Sequence, residues 1–310
     1  MIRRPPALLL AALALTGLVA GCGSTTKAGA PAPAASAAAF PATAGGVTLP
    51  QRPTHIVSLT PTGTEILFAI GAGSQVTAVD DQSNYPAGVP KSNLSGYQPN
   101  AEAIAAKSPD LVVISTDTNK IKDQLTKLKI PVYVMPAAAT LDDEYAELTD
   151  LGTLTGHASQ AAQTVTQVKN GIAKLVAGVP KRTKPLTYYY ELDQTYYSVT
   201  SKTFIGSLFA MVGLTDIADP ADADGKAGGY PQLSAESIVK ANPDLIFLAD
   251  TKCCNQSADT VRGRSGWAEL AAVRDGHVVA LDDDIASRWG PRVVDLVQAI
   301  VNAVEKVPAS

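Results

Sequence analysis

Apolar positions along this chain follow two alternating rhythms. Short unbroken runs, HIVSL at 55–59 and the stretches 75–79, 111–115 and 132–135, are β-rich and have the length of buried strands. Between them apolar residues return at helical spacing, as in Ile66, Leu67, Ala69 and Ile70, a pattern that Thr62-Gly63-Thr64-Glu65 opens and Gly71-Ala72-Gly73 closes. Strand then helix, repeated, predicts an α/β fold with a parallel sheet covered by helices.

From 141 to 177 the rhythm lengthens. Leu148, Leu151, Leu154, Ala158, Ala161, Val165, Val168, Ile172 and Leu175 recur at three- and four-residue spacing without a proline. This predicts one long helix of about 35 residues over 141–178, or two ordinary helices broken at Gly152 or Gly156. Pro180 and Pro185 close the segment, and a second strand–helix alternation runs from Leu186 onward. The division is an N-terminal lobe at 47–140, an interlobe helix at 141–178 and a C-terminal lobe at 179–310.

The two alternations share a sentence. NAEAIAAKSPDLVVIS fills 100–115 and SAESIVKANPDLIFLA fills 234–249, and Glu102/Glu236, Pro109/Pro243 and Asp110/Asp244 are each 134 positions apart. Each copy reads as a helix start, an acidic first turn, a Pro-Asp stop and a β-rich run. A period that long excludes a solenoid and points to two similar lobes.

Composition narrows the setting. A chain of 310 residues, 46% hydrophobic with net charge −4, holds a large core, and without a Lys/Arg cluster it lacks the footprint of a nucleic-acid binder. Residues 1–22 carry Arg3 and Arg4, a short apolar run and a small-residue ending, the form of an export signal. The ending Val19-Ala20-Gly21-Cys22 resembles the bacterial lipobox, which implies a signal cut before Cys22 and lipid on its thiol. Residues 23–46 are nearly all small, Pro or Gly, a flexible tether with an end-to-end distance of roughly 25–30 Å. The expected location is outside the cytoplasm, anchored to the bacterial cell membrane through Cys22.

Candidate binding residues follow from a rule of α/β sheets, which place ligands beyond the carboxyl ends of strands. The loops so placed hold residues 58–62, Tyr85, Tyr97, Tyr197, Phe204 and Tyr230. Rings with polar tips suit a large ligand with flat apolar faces, although each ring taken singly is more often a packing residue. Cys253-Cys254 follows the β-rich run 245–249. With Cys22 lipidated they are the remaining cysteines, and export favours oxidation, so the pair is either a vicinal disulfide or two separate thiols. His55, His157 and His277 form no cluster at metal-ligand spacing, and no metal is expected. No G-x-S-x-G, H-E-x-x-H or complete G-x-G-x-x-G occurs, so an exported hydrolase would require a Ser–His pair facing a cleft.

RPTHIVSLTPTGTEILFAIGAG at 52–73, the doubled AExI…PDL unit, the long interlobe helix and DDDIASRWGPRVVDLVQAI at 282–300 together resemble the iron-siderophore/cobalamin class of ABC-transporter substrate-binding proteins. The resemblance spans about 52–305. It implies two Rossmann-like lobes with parallel sheets joined by a single long α-helix, little hinge closure, and a ligand in the interlobe cleft. Glu102 and Glu236 match glutamates that dock into an ABC permease, although an acid in a first helical turn also stabilises its own helix. Tyr85, Tyr97 and Tyr230 resemble cleft-lining aromatics of cobalamin-binding relatives. Asp284 and Arg288 match, in spacing, an acid and a base that contact ligand there, and they equally fit a local ion pair. The resemblance implies a monomeric carrier without chemistry or cofactor of its own. Its transported ligand is cobalamin or a related corrinoid first, a ferric siderophore or haem as the alternative.

Overall fold

The computed structural model describes residues 40–308. Cys22, the export signal and most of the expected tether lie outside the described residues. The described residues begin with a hairpin, β1 (Ala42–Ala44) against β2 (Val47–Leu49), turned by Gly45 and Gly46 at φ 53° and 74°. The tether expected through residue 46 therefore ends earlier. Two glycines at positive φ are the usual two-residue hairpin turn, and Ala42 and Leu49 bury against the body.

The N-terminal lobe alternates β3 (Ile56–Leu59), α1 (Pro61–Ala69), β4 (Val76–Val79), α2 (Ala101–Ala105), β5 (Leu111–Ile114), α3 (Ile121–Lys127) and β6 (Val132–Val134). Then come α4 (Leu141–Thr155) and α5 (Ala158–Ala177). The C-terminal lobe runs β7 (Thr187–Glu191), α6 (Phe204–Met211), β8 (Thr215–Asp216), α7 (Ala235–Ala241) and β9 (Leu245–Leu248). It continues through α8 (Ala258–Arg262), α9 (Ala271–Arg274), β10 (Val278–Ala280), α10 (Asp283–Ala286) and α11 (Val293–Lys306).

Both sheets are parallel and four-stranded, ordered β4-β3-β5-β6 and β10-β9-β7-β8. Counted within each lobe, both orders are second, first, third, fourth. Two helix-covered faces require strands that are apolar on both sides, and the side chains divide by parity. Leu111 and Val113 of β5 join the large central core, while Val112 and Ile114 join the core of the outer face. In β9, Leu245 and Phe247 likewise face the centre while Ile246 and Leu248 face outward. The central core takes residues from both lobes and from α4, α5 and α11, so the lobes are not independent beads.

The run 141–177 is not one helix. Gly156, at φ 77°, ends α4 in the left-handed conformation that favours glycine, and the His157 amide donates back to the Gly152 carbonyl at 2.7 Å. A Cβ on Gly152 would stand 2.4 Å from that of Ala161, so this glycine lets α5 fold closely back on α4. α4 packs against α1 and β1 of the N-terminal lobe, and α5, 20 residues long, is the single long helix that carries the chain across to α11 and the C-terminal lobe.

Candidate ligand cleft

In both sheets the first and third strands lie side by side and their connections leave in opposite directions, which opens a crevice at the carboxyl ends. Two cavities occupy that region, and each draws on both lobes. One, of about 320 Å³, is lined by Leu59–Thr62, Asp80, Gln82, Gly96, Tyr97 and residues 115, 116 and 118 from the N-terminal lobe, and by Asp284 and Ser287–Trp289. The other, of about 370 Å³, sets Ala137–Ala139 against Lys202–Phe204, Asp222, Gly225 and Gly228–Tyr230.

Local sequence explains the first cavity. Pro61 starts α1 at a position where its missing N–H costs nothing. Ser58, Thr60, Thr64 and Ser83 then share hydrogen bonds of 2.9–3.3 Å that satisfy this buried strand end. Gly96 passes so close to the Leu59 carbonyl that a Cβ would approach it to 2.5 Å, and this close passage sets Tyr97 at the mouth, 78% exposed. Tyr230, 46% exposed, and the largely buried Phe204 line the second cavity.

The other expected aromatics sit elsewhere. Tyr85 lines a third cavity with Phe68, Ala69, Pro86, Pro291 and Arg292, its ring centre 4.1 Å from the Arg292 guanidinium carbon. Tyr197, 40% exposed, bridges to Gln232 and lines neither cleft cavity.

Asp284 of α10 and Arg288, just past that helix, are brought together, 2.8 Å apart, within a larger network. Arg288 also donates to Glu65 at 2.7 Å, Asn84 at 2.9 Å and the Gln82 carbonyl at 3.2 Å. Arg292 grips the same Glu65 through two contacts of 2.5 and 2.7 Å, and Asn84 donates to Asp284 at 3.0 Å. Trp289 donates to Glu147 at 3.1 Å. Glu65 is 2% exposed, so its charge depends on both arginines. Sequence reasoning missed Glu65 as the hub. The available signal was a single acid inside α1, a helix buried from Thr62 to Leu67, where a charge requires a partner.

Behind the C-terminal wall, the loop after β9 joins Cys253 to Cys254 through their sulfurs. The amides of Thr251, Lys252 and Cys253 all donate to the Asp283 carboxylate at 2.9–3.1 Å. Lys252 Nζ reaches Asp282 at 2.8 Å and Asp284 at 3.0 Å. Burial pushes the Asp284 carboxyl up, but Lys252, Asn84 and Arg288 outweigh it and hold the group below its ordinary value. Lys252 and Asp283 also escaped the sequence reading, because their partners lie about 30 residues away.

The repeated unit separates into staple and display. Asp110 accepts from the Thr54 amide and hydroxyl and the His55 amide at 2.7–3.0 Å, and Asp244 accepts from the Thr187 amide and hydroxyl at 2.8 and 2.9 Å. Each pins the start of its lobe's first strand. Asn100 and Ser234 cap α2 and α7, leaving Glu102 and Glu236 exposed in the first turns, with no partner among the described residues.

Two like lobes, a bridging helix and cavities shared across the crevice define a two-lobed binding protein. Residues 56–285 match the periplasmic binding protein family, and the chain belongs to that family. It is 29% identical over 96% of its length to an uncharacterised ABC transporter substrate-binding lipoprotein, YvrC of Bacillus subtilis, covering 95% of that protein. Over 83% of the chain it is 30% identical to a cobalamin-binding protein of Halobacterium salinarum, 71% of which is covered. The vitamin B12 binding protein BtuF of Vibrio cholerae superposes with a TM-score of 0.66 at 25% identity, covering 81% of this chain and 96% of that one. The haem-binding protein HutB of Vibrio cholerae has the same fold, with a TM-score of 0.71 at 22% identity over 80% and 97% of the two chains. Among the described residues no helix is long and apolar enough to cross a membrane, and no cluster of three or more His, Cys, Asp or Glu could hold a metal ion.

Proposed function

We propose that this protein is an extracytoplasmic lipoprotein that holds cobalamin or a related corrinoid in the interlobe cleft and delivers it to an ABC import permease. The observation that carries the reading is the pair of exposed rings, Tyr97 and Tyr230, each at a cavity built from both lobes. A tyrosine so exposed has little packing role in the free protein and offers a flat face to a large ligand. Relatedness to cobalamin-binding proteins supports the choice of ligand. Glu102 and Glu236 serve as the docking pair, one per lobe, and lipid on Cys22 holds the monomer at the membrane.

A second reading, haem or a ferric siderophore, draws on Arg288, whose guanidinium suits a carboxylate. Its donors are already engaged by Glu65, Asn84, Gln82 and Asp284, so an anionic ligand would have to displace one of them. Isothermal titration with cyanocobalamin, a ferric hydroxamate and haemin, run in parallel, decides between the readings. Saturable binding of cyanocobalamin at micromolar or lower concentration, weakened by Tyr97→Ala, is the expected result. Binding of haemin or the hydroxamate alone would replace the corrinoid.

A further inference from the structure

The loop carrying Cys253 and Cys254 follows β9 in the C-terminal lobe, behind the cleft wall to which Asp284 and Arg288 belong. Three successive amides converge on the Asp283 carboxylate, a concave nest that exists only while the loop keeps its shape. Thr251 Oγ1 adds a donor at 2.7 Å, and the Cys254 amide folds the loop back onto the Asp250 carbonyl at 3.2 Å. The bond between adjacent cysteines closes a small ring that contains their shared peptide, beside the third amide of the nest. Asp283 begins α10, whose next residue, Asp284, lines the first cavity and holds Arg288. Lys252, one residue before the cysteines, bridges to Asp284. A continuous polar path thus runs from the sulfurs through Asp283, Asp284 and Arg288 to Glu65 on the opposite lobe.

We infer that Cys253–Cys254 is a thiol–disulfide exchange site for an exported dithiol, and that its redox state sets how firmly Asp284 and Arg288 are held in the cleft. Cys253 is the exposed member and Cys254 is half-buried. A thiolate of the dithiol attacks Sγ of Cys253, the bond between the sulfurs breaks, and Cys254 leaves as a thiolate that takes up a proton. The second thiol of the reductant then attacks the mixed disulfide and expels Cys253, which is also protonated. The dithiol ends as a disulfide, and the protein has gained two electrons and two protons. With the ring open, the three amides no longer share one fixed direction, and α10 loses the clamp that Asp283 provides.

The coupling stands on the geometry alone, while its effect on ligand rests on the corrinoid reading. The test is reduction of the full chain with dithiothreitol, followed by mass mapping of the alkylated peptide that carries 253 and 254, so that Cys22 does not enter the count. Hydrogen exchange across 251–254 and 283–288 is the first readout and the affinity for cyanocobalamin the second. Reduction is expected to speed exchange in both segments and weaken cyanocobalamin about tenfold, the loss of one well-placed charge-assisted contact. Reoxidation is expected to restore both, and Cys253→Ser with Cys254→Ser is expected to behave like the reduced chain. Two free thiols in air-oxidised protein, or full reduction with unchanged exchange at 283–288, would overturn the proposal. Faster exchange without cyanocobalamin binding in either state would uphold the coupling and remove the corrinoid reading. Because the wild-type chain is reduced reversibly, the result does not depend on the double variant folding.

Discussion

The two lobes share a strand order and a helix–turn–strand unit, yet they finish the carboxyl ends of their sheets with different chemistry. In the N-terminal lobe the end of β3 is a ladder of hydroxyls, Ser58, Thr64 and Ser83, satisfied by one another and by the Thr60 carbonyl. In the C-terminal lobe the ends of β7 and β9 bury charge. Glu191 is fully buried and gripped by Arg264 at 2.5 and 2.6 Å, and Asp250, also fully buried, has neither carboxylate oxygen partnered among the described residues. Burial first, then the charge of Glu191, pushes the Asp250 carboxyl up to about 7. The repeated Pro-Asp staple fixes a common frame, and the strand-end loops on that frame are free to diverge. The strand end of the N-terminal lobe is thus closed by hydroxyls and backbone, and the strand ends of the C-terminal lobe by buried charge.

The sharpest way to break the comparison is to cut what ties the two walls together. Glu65→Ala leaves Arg288 and Arg292 facing an empty buried site and is expected to lower the unfolding free energy by about 3–5 kcal/mol, read by urea denaturation. A loss below 1 kcal/mol, roughly the worth of a surface pair, would mean the walls are held by the shared apolar core alone.

A smaller effect, visible with pH, tests α4 at the lobe boundary. Burial raises Glu144 to about 9 with a contribution from Glu147, and burial raises Glu147 to about 8 against the hydrogen bond from Trp289. Both folded values lie above the ordinary carboxyl value of 4.5, so the folded state holds protons that the unfolded chain gives up. Their stabilisation is complete below that ordinary value and is lost as pH climbs from it through 8 to 9. The slope approaches about 1.4 kcal/mol per pH unit for each proton held. Thermal melts of wild type are expected to fall between about pH 5 and 8, and Glu144→Gln to flatten part of that fall. A Tm that rises with pH over this range would contradict the burial of these acids.

Smaller again is the staple. Asp110→Ala and Asp244→Ala are each expected to cost about 1–3 kcal/mol, with Asp110 the larger because it accepts three donors against two. A null effect in one lobe would end the claim that the repeat performs the same structural task twice. The smallest effect on folding belongs to the display positions. Glu102→Lys with Glu236→Lys should leave stability within about 0.5 kcal/mol and ligand affinity unchanged, while uptake through the permease is lost. Loss of ligand affinity would move both residues from docking to binding.

The lobes were legible in the sequence because strands buried on both faces must be apolar, and the β-rich runs at 111–114 and 245–248 are so throughout, with Ser58 alone interrupting 56–59. The doubled unit was legible because its cap and its Pro-Asp stop are local, whereas the staple reaches 55 to 57 positions back to the first strand and left no local pattern. The hairpin at Gly45-Gly46 was lost inside a stretch of small residues whose composition reads as tether, although the glycine pair itself was a turn signal. The break at Gly156 was left open because helical periodicity runs through it, and only the close contact of Gly152 with Ala161 shows why the chain doubles back. Asp284 and Arg288 were read as ligand contacts or a local ion pair, and the ion pair is present, but their hub was not read. Glu65 and Arg288 are 223 positions apart, and no local pattern records such a pairing. Tyr97 and Tyr230 line the two interlobe cavities from long loops, while Tyr85 packs on the Arg292 face.

The most direct test of the central claim is a crystal structure of the protein with cyanocobalamin, phased on the anomalous signal of its cobalt. The account predicts one cobalt peak per chain in the crevice at the strand carboxyl ends, flanked by the Tyr97 and Tyr230 loops. A peak on the outer surface, or an unoccupied crevice at saturating ligand, would contradict it.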